Sequence, residues 1–345
     1  MAARFREQAT ACLRLGSPMY ADLLDRCARD IEGGGPVRDV LAGHEGDPGP
    51  SALALRLAGS VHRLVLDRRA GELSAFYPSV GGRFEPDGCW EAFLRLVREE
   101  PEAVRGRLDR APQTNEVGRA AALMGGLMRI GETYRHPVRL FEIGSSGGLN
   151  LRADRFAYVQ DGRLLQGPAD SPLRLVDPWR GRVPAAWPDL RVVHRLGSDL
   201  YPVDVGSTEG RLTLTAYVWP DQRARLERLR AAFEIAAAQP APVREQDAVG
   251  FVAGLDLADA TTTVLWHSVM WQYLPAADRD AVAARVEEVA RDAAPDRPFA
   301  HLYAEPVRRT PEHEHAFLVV LRLWPGGERR VLATTAPHGL PTTWE

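Results

Sequence analysis

Residues able to do chemistry are concentrated in a few short stretches of this 345-residue chain. The densest is Glu142-Ile-Gly144-Ser-Ser146-Gly147-Gly148-Leu-Asn150, an acid followed by a run of small residues. The apolar run Val138 to Ile143 precedes it and the amphipathic run Leu149 to Phe156 follows it. The order predicts a buried strand, a glycine-rich turn and a helix, in which backbone N–H groups at the helix N-terminus can meet a ligand. Carboxylates able to accept hydrogen bonds recur downstream at Asp221 and Asp247. His267, in Trp-His-Ser-Val-Met-Trp-Gln-Tyr, has the chemistry of a general base, and Trp271 and Tyr273 beside it could wall a pocket. Two polar stretches, Gln113-Thr-Asn115-Glu116 and Arg195-Leu-Gly-Ser-Asp199, are candidates for contacts with a substrate. Asn115 and Asn150 are the only asparagines in the chain. Each candidate also has a plain structural role open to it: a helix cap for Asn115-Glu116 and Asp221, a core histidine for His267, mutual pairing for Arg195 and Asp199.

The elements that must position these residues change character near residue 135. Residues 1 to about 135 read as a helical cap domain: Ser17-Pro18 and Ser51 are capping residues, each followed by apolar residues at helical spacing. Residues 136–345 alternate between strand-like and helical runs. Val138–Ile143, Leu212–Val218, Val243–Glu245, Thr263–Val269 and Phe299–Ala304 read as strands, and residues 223–238 and 276–291 as helices. Ala316–Trp324 and Arg329–Thr335, joined across Gly326-Gly327, predict a final antiparallel hairpin. The fold class expected is α/β, a Rossmann-like and mostly parallel sheet closed by that hairpin and preceded by an all-α domain. From Ile143 to Leu212 the spacing far exceeds the roughly 30 residues of a plain βαβ unit, so an insertion is placed near 157–210, beginning with a hairpin at Tyr158 to Leu165. The alternative makes residues 191–200 the second strand, with Asp199 at its end.

Composition narrows the chemistry. All 43 basic residues are arginine, which excludes P-loop ATPases, Schiff-base aldolases and pyridoxal-phosphate enzymes, since each needs a lysine. With a net charge of −3 and arginines interleaved with acids, no basic face for nucleic acid is expected. No run approaches the ~20 apolar residues of a membrane span, and the first residues lack a signal-peptide core, so a cytoplasmic protein is expected. Three scattered cysteines (Cys12, Cys27, Cys89) suit neither a disulfide framework nor a zinc site, and His313-Glu-His315 is too short for one; no metal is expected.

Glu142-Ile-Gly144-Ser-Ser146-Gly147-Gly148 resembles the first motif of class I S-adenosylmethionine-dependent methyltransferases, with Ser146 in place of the middle glycine. The resemblance implies S-adenosylmethionine over this turn, held by Glu142, Gly144, Ser146, Gly147, Gly148 and Asn150. It further implies Asp221, ending the second strand, on the ribose and Asp247, after the third, near the adenine. The fourth strand would then present His267 as base, with Asn115, Glu116, Arg195, Asp199, Trp271 and Tyr273 around a small-molecule acceptor. Asp221 is preferred to Asp199 as the ribose acid because it leads straight into a long helix. Two rivals claim the same turn. The dinucleotide pattern G-x-G-x-x-G is met only at Gly144. Gly144-x-Ser146-x-Gly148 matches the nucleophile elbow of a serine esterase, with Asp247 or Asp256 and His267 or His338 as partners, but it lies on the first strand of the sheet. A non-catalytic binding or scaffold protein is the third reading. Across most of its length the chain also resembles an uncharacterised family of high-GC bacteria, domain of unknown function 2332. That likeness is carried by Gln113-Thr-Asn-Glu-Val, Glu142 to Asn150, Arg195-Leu-Gly-Ser-Asp, Tyr217-Val-Trp-Pro-Asp-Gln and Trp266-His-Ser-Val.

Overall fold

Local signals set the first third of the chain. The computed structural model describes residues 1–345, the side chain of Pro50 excepted. It has helices α1 (Ala2–Arg14), α2 (Pro18–Gly33), α3 (Pro36–Val40), α4 (Leu53–Leu66), α5 (Pro86–Glu99), α6 (Pro101–Arg105) and α7 (Ala120–Gly131) before the first strand. In α2 the Ser17 side chain accepts from the Tyr20 N–H, Pro18 takes the first helical position and Gly34 closes the helix in the left-handed region. Its buried face includes Tyr20, Leu23, Leu24, Cys27 and Ile31, the residues expected from their spacing.

Strands β1 (Val138–Ile143), β2 (Ala157–Gln160), β3 (Arg163–Gln166), β4 (Arg174–Val176), β5 (Trp179–Gly181) and β6 (Val192–Asp199) come next. They are followed by α8 (Thr208–Ala216), α9 (Arg223–Ala238), β7 (Val243–Glu245), α10 (Ala248–Ala253), β8 (Thr262–Ser268), α11 (Ala276–Ala290), β9 (Phe299–Arg308), β10 (His315–Trp324), β11 (Arg329–Thr335) and β12 (Thr342–Trp344). Nine strands make one sheet in the order β5-β12-β11-β10-β9-β8-β1-β6-β7, and β3-β2-β4 make a small second sheet. Neighbours from β7 through β9 are parallel, whereas β10, β11 and β12 each pair antiparallel with the strand before. The expected α/β architecture is therefore observed, with antiparallel C-terminal strands and the hairpin of the insertion at β2 and β3. Every residue of β8 is buried, as a strand in mid-sheet requires.

The chain forms two compact units: Met1–Thr114 with Ser207–Glu227, and Asn115–Gly206 with Arg228–Glu345. They part at Thr114/Asn115 and not at 135, because α7 groups with the sheet. A Cβ on Gly125 would lie 1.9 Å from Trp344, and one on Gly126 would lie 2.4 Å from Leu302, so only glycine allows this approach. The helical unit takes in 207–227 for equally local reasons. Tyr217 packs where a side chain on Gly59 would stand, Trp219 lies 6.1 Å from the Tyr20 ring, and Arg63 pairs with Glu209.

That placement corrects the second strand. Leu212–Val218 is not a strand, since Thr208–Ala216 is helical, started by the Ser207 side chain accepting from the Gly210 N–H. The alternating pattern of Leu212-Thr-Leu214-Thr yields to this cap and to the packing of Leu214 and Ala216. The strand beside β1 is β6, with Phe141 opposite Leu196 and Glu142 opposite Gly197. Asp199 ends it. Leu149–Arg155 is a 3₁₀ segment kinked at Arg152, not a regular helix.

Candidate functional site

From β1 the chain proceeds to β6 and β7 on one side, then returns to β8 and β9 on the other. The order reverses between β1 and β8, and at such a switch point the carboxyl ends of the strands open a crevice. Gly144 (φ +66°) turns the chain there, and a Cβ on it would stand 2.7 Å from the Met270 Cβ, in the loop after β8. The glycine is needed for both reasons, the positive φ and the contact.

Within the turn, backbone donors are largely spoken for. Ser145 N–H donates to the Ser198 carbonyl (3.0 Å), Ser146 N–H to Asp199 Oδ2 (2.8 Å) and Gly148 N–H to the Ser145 carbonyl (2.7 Å). Leu149 N–H donates to Asn115 Oδ1 at 2.9 Å, and Asn150 Nδ2 donates to the Glu116 carbonyl at 3.3 Å. The two asparagines thus meet as braces of the turn, and the Glu116 side chain accepts from the Gly118 N–H. Ser146 holds φ +53°, unusual for a residue with a side chain, and the Asp199 carboxylate, which also accepts from Tyr201 N–H, helps hold it there.

What the turn leaves open is acceptors. Glu142 Oε2, Asn150 Oδ1 and Ser198 Oγ are buried without hydrogen-bond partners among the described residues. Burial pushes the Glu142 carboxyl up to about 8; the adjacent Trp266 indole and the charges of Arg119 and Arg152 draw it part of the way back, while Asp199 raises it. A buried, unpartnered acceptor is costly, so this group suits a ligand that brings donors or positive charge.

The other anticipated residues divide. Asp247 follows β7 and caps α10, accepting from the Gly250 N–H at 2.6 Å, at the same end of the sheet as Asp199. Asp221 is in the helical unit, where it accepts from Ser17 Oγ (2.6 Å) and Met19 N–H (3.0 Å) at the start of α2; the end of the second strand belongs to Asp199 instead. Arg195 makes a two-pronged ion pair with Asp154 (both contacts 3.1 Å), fixing β6 to the segment after the turn. Tyr273 is 41% exposed.

His267 belongs to a second cluster. Glu142 lies opposite Trp266 in the sheet, so Glu142 and His267 project from opposite faces. His267 Nδ1 is 2.8 Å from Glu305 Oε1 and its Nε2 is 3.0 Å from His301 Nε2. The ring is stacked between Trp271 (5.0 Å) and Tyr303 (5.1 Å). With both nitrogens engaged, His267 does not serve Ser146. Of its proposed acids, Asp256 pairs with Arg139 and Asp247 caps α10. Glu305, a lesser site candidate from its place after the fifth strand, is brought to His267 here, and His301 is the member of the cluster that the motifs did not mark. The signal was period two: His301, Tyr303 and Glu305 alternate along one face of β9.

The family model for an uncharacterised protein conserved in bacteria, domain of unknown function 2332, matches residues 2–344. The chain belongs to this family. No protein of curated function and no solved structure matches it. Among the described residues no helix is long and apolar enough to cross a membrane.

Proposed function

We propose that the protein is a methyltransferase that uses S-adenosylmethionine on a small-molecule acceptor, with the cofactor at the carboxyl ends of β1, β6 and β7. One observation carries the reading: the turn after β1 has the backbone donors of Ser145, Ser146, Gly148 and Leu149 engaged, while its buried acceptors, Glu142 Oε2 and Asn150 Oδ1, are without partners among the described residues. A dinucleotide's pyrophosphate needs the reverse, free N–H groups. An amino acid ammonium, as on S-adenosylmethionine, supplies donors and charge to acceptors of this kind. Asp199 Oδ1 and Oδ2 each accept one backbone N–H and each retains a lone pair suited to a diol. Asp247, exposed after β7, stands at the same end of the sheet.

The cofactor supplies an electrophilic methyl group on a sulfonium; the chain's part is to bind, orient and exclude water. Glu142 and Asn150 would hold the amino acid end, Asp199 the ribose and Asp247 the base. Calorimetric titration with S-adenosylhomocysteine tests the reading. Binding is expected for the unaltered protein and loss of at least tenfold in affinity for Asp199→Ala, with Asp221→Asn unchanged. Absence of heat and of any thermal shift at millimolar ligand refutes it.

A further inference from the structure

The sheet face that carries His267 is covered by α11, and between them lies a cavity of about 240 Å³. Its floor is a register of paired residues. His267 lies opposite Tyr303, His301 opposite Arg322, and Arg322 opposite Arg329, across β8, β9, β10 and β11. Val286, from α11, and Val307, from β9, give it apolar wall.

Glu305, His267 and His301 form a line of hydrogen bonds. Glu305 Oε1 accepts from Met270 N–H (3.1 Å) and Trp271 N–H (3.3 Å) as well as from His267 Nδ1–H, while its Oε2 is buried without a partner among the described residues. With Nδ1 of His267 protonated, its Nε2 accepts from His301 Nε2–H. The chain then ends at His301, a residue lining the cavity, whose Nδ1 has no hydrogen-bond partner among the described residues. The line is not a metal cage: among the described residues no group of three or more such side chains is placed to hold an ion. The charges around it are Glu305, Arg322 with its partner Glu287, and Arg329. Among the described residues, Arg329 donates to the carbonyls of Arg308 and Arg309 and has no ion pair.

We propose that this cavity is a binding site for a small, apolar-bodied carboxylate, in which Arg329 holds the anion and His301 Nδ1 is the terminal base of a proton relay through His267 to Glu305. When the molecule enters as its neutral acid, the carboxyl O–H bond breaks: the proton bonds to His301 Nδ1 and the electron pair stays on the carboxylate oxygen, which Arg329 holds. The Nε2 proton of His301 passes to His267 Nε2. His301 ends neutral, in its other tautomer, and the positive charge rests on His267 against the Glu305 carboxylate. His301 could not keep that charge itself, since burial, and then the nearby His267 and Arg322 charges, hold its protonation far below the usual range. His267 and Glu305 are positioning residues. The site is independent of the methyl-transfer reading, and its test does not involve the cofactor.

Histidine ¹⁵N spectra of the full chain at pH 7 read the tautomers directly. Nδ1–H on His267 and Nε2–H on His301 are expected; Nδ1–H on His301 in the free protein overturns the relay. Benzoate serves as probe, with benzamide as its neutral counterpart. Benzoate at millimolar concentration is expected to shift the His267 and His301 signals, with benzamide at least tenfold weaker. Arg329→Ala, at an exposed position, is expected to weaken benzoate about tenfold. No response to 20 mM benzoate, as a stated upper bound of about that concentration, or equal binding of benzamide, overturns the anion site. Glu305→Gln should keep Nδ1–H on His267, whereas Glu305→Ala should leave a mixture of His267 tautomers; a His267 tautomer unmoved in Glu305→Ala overturns the role of Glu305.

Discussion

Glu142 shows how one buried carboxyl ties stability to ligand. Its pKa is raised from 4.5 to about 8 by burial. Its contribution is therefore fully present below pH 4.5 and is lost as pH rises toward 8, because the unfolded chain gives up the proton first. Glu142→Gln should remove that slope, raising unfolding free energy at pH 8 relative to pH 5 by on the order of 4 kcal/mol, as read by urea titration at both values. A donor-bearing ligand that ionises Glu142 should release a proton at pH 7, visible as a binding heat that depends on the buffer's ionisation enthalpy. Arg195 offers a contrast, because its role is internal to the fold. Arg195→Ala leaves the part-buried Asp154 with Arg155 alone as ion-pair partner, and should cost about 2 kcal/mol in equilibrium unfolding while leaving S-adenosylhomocysteine affinity within about twofold. Much of this was legible beforehand. Glu142, Gly144, Asn115 and Asn150 were marked by type and spacing, but whether Arg195 met a ligand or Asp154 was not, since Asp154 lies 41 positions away in the chain.

Helices and strands assigned from capping and periodicity were read well where the two signals agreed. Gln113 to Arg119 and the loop after β8 acquire meaning only as elements that pin the β1 turn, one through Asn115, the other through Met270 against Gly144. Gly144→Ala should be destabilising by about 1–3 kcal/mol, from positive φ and the Met270 contact together, and should abolish ligand binding at the turn. The helix α2 gives the matching test for Asp221. Asp221→Ala removes acceptors from Ser17 Oγ and Met19 N–H, and a loss of about 1 kcal/mol in thermal or urea unfolding is expected. Leu212–Val218 was misjudged because its alternation resembles a strand, and the Ser207 cap is a weak signal beside it.

Across the whole chain, the helical unit holds the clearest acid-sensitive group. His62 is buried, with Nδ1–H donating to the Ala216 carbonyl and Nε2 accepting from Ser79. Burial lowers its pKa from 6.5 to about 4, only partly opposed by the Ala216 bond. Stability from keeping it neutral is complete above pH 6.5 and is lost as pH falls from there to about 4, where the unfolded chain binds the extra proton. The thermal midpoint of the protein should fall across that window, and His62→Gln should flatten the fall while lowering the midpoint at pH 7 by a few degrees.

By itself the sequence determined the α/β class, the glycine turn, the final hairpin and the Ser17 cap of α2, because these depend on residues within a turn or two of one another; the cap expected at Ser51 is not made, since α4 begins after Ala52 with no side-chain cap and Ser51 closes a 3₁₀ turn instead. Tertiary structure alone decided which strand stands beside β1, that Asp199 and not Asp221 ends it, and that His267 faces away from Glu142 toward His301 and Glu305. Those outcomes depend on sheet register and on strand order, and both are set by packing between residues far apart in the chain.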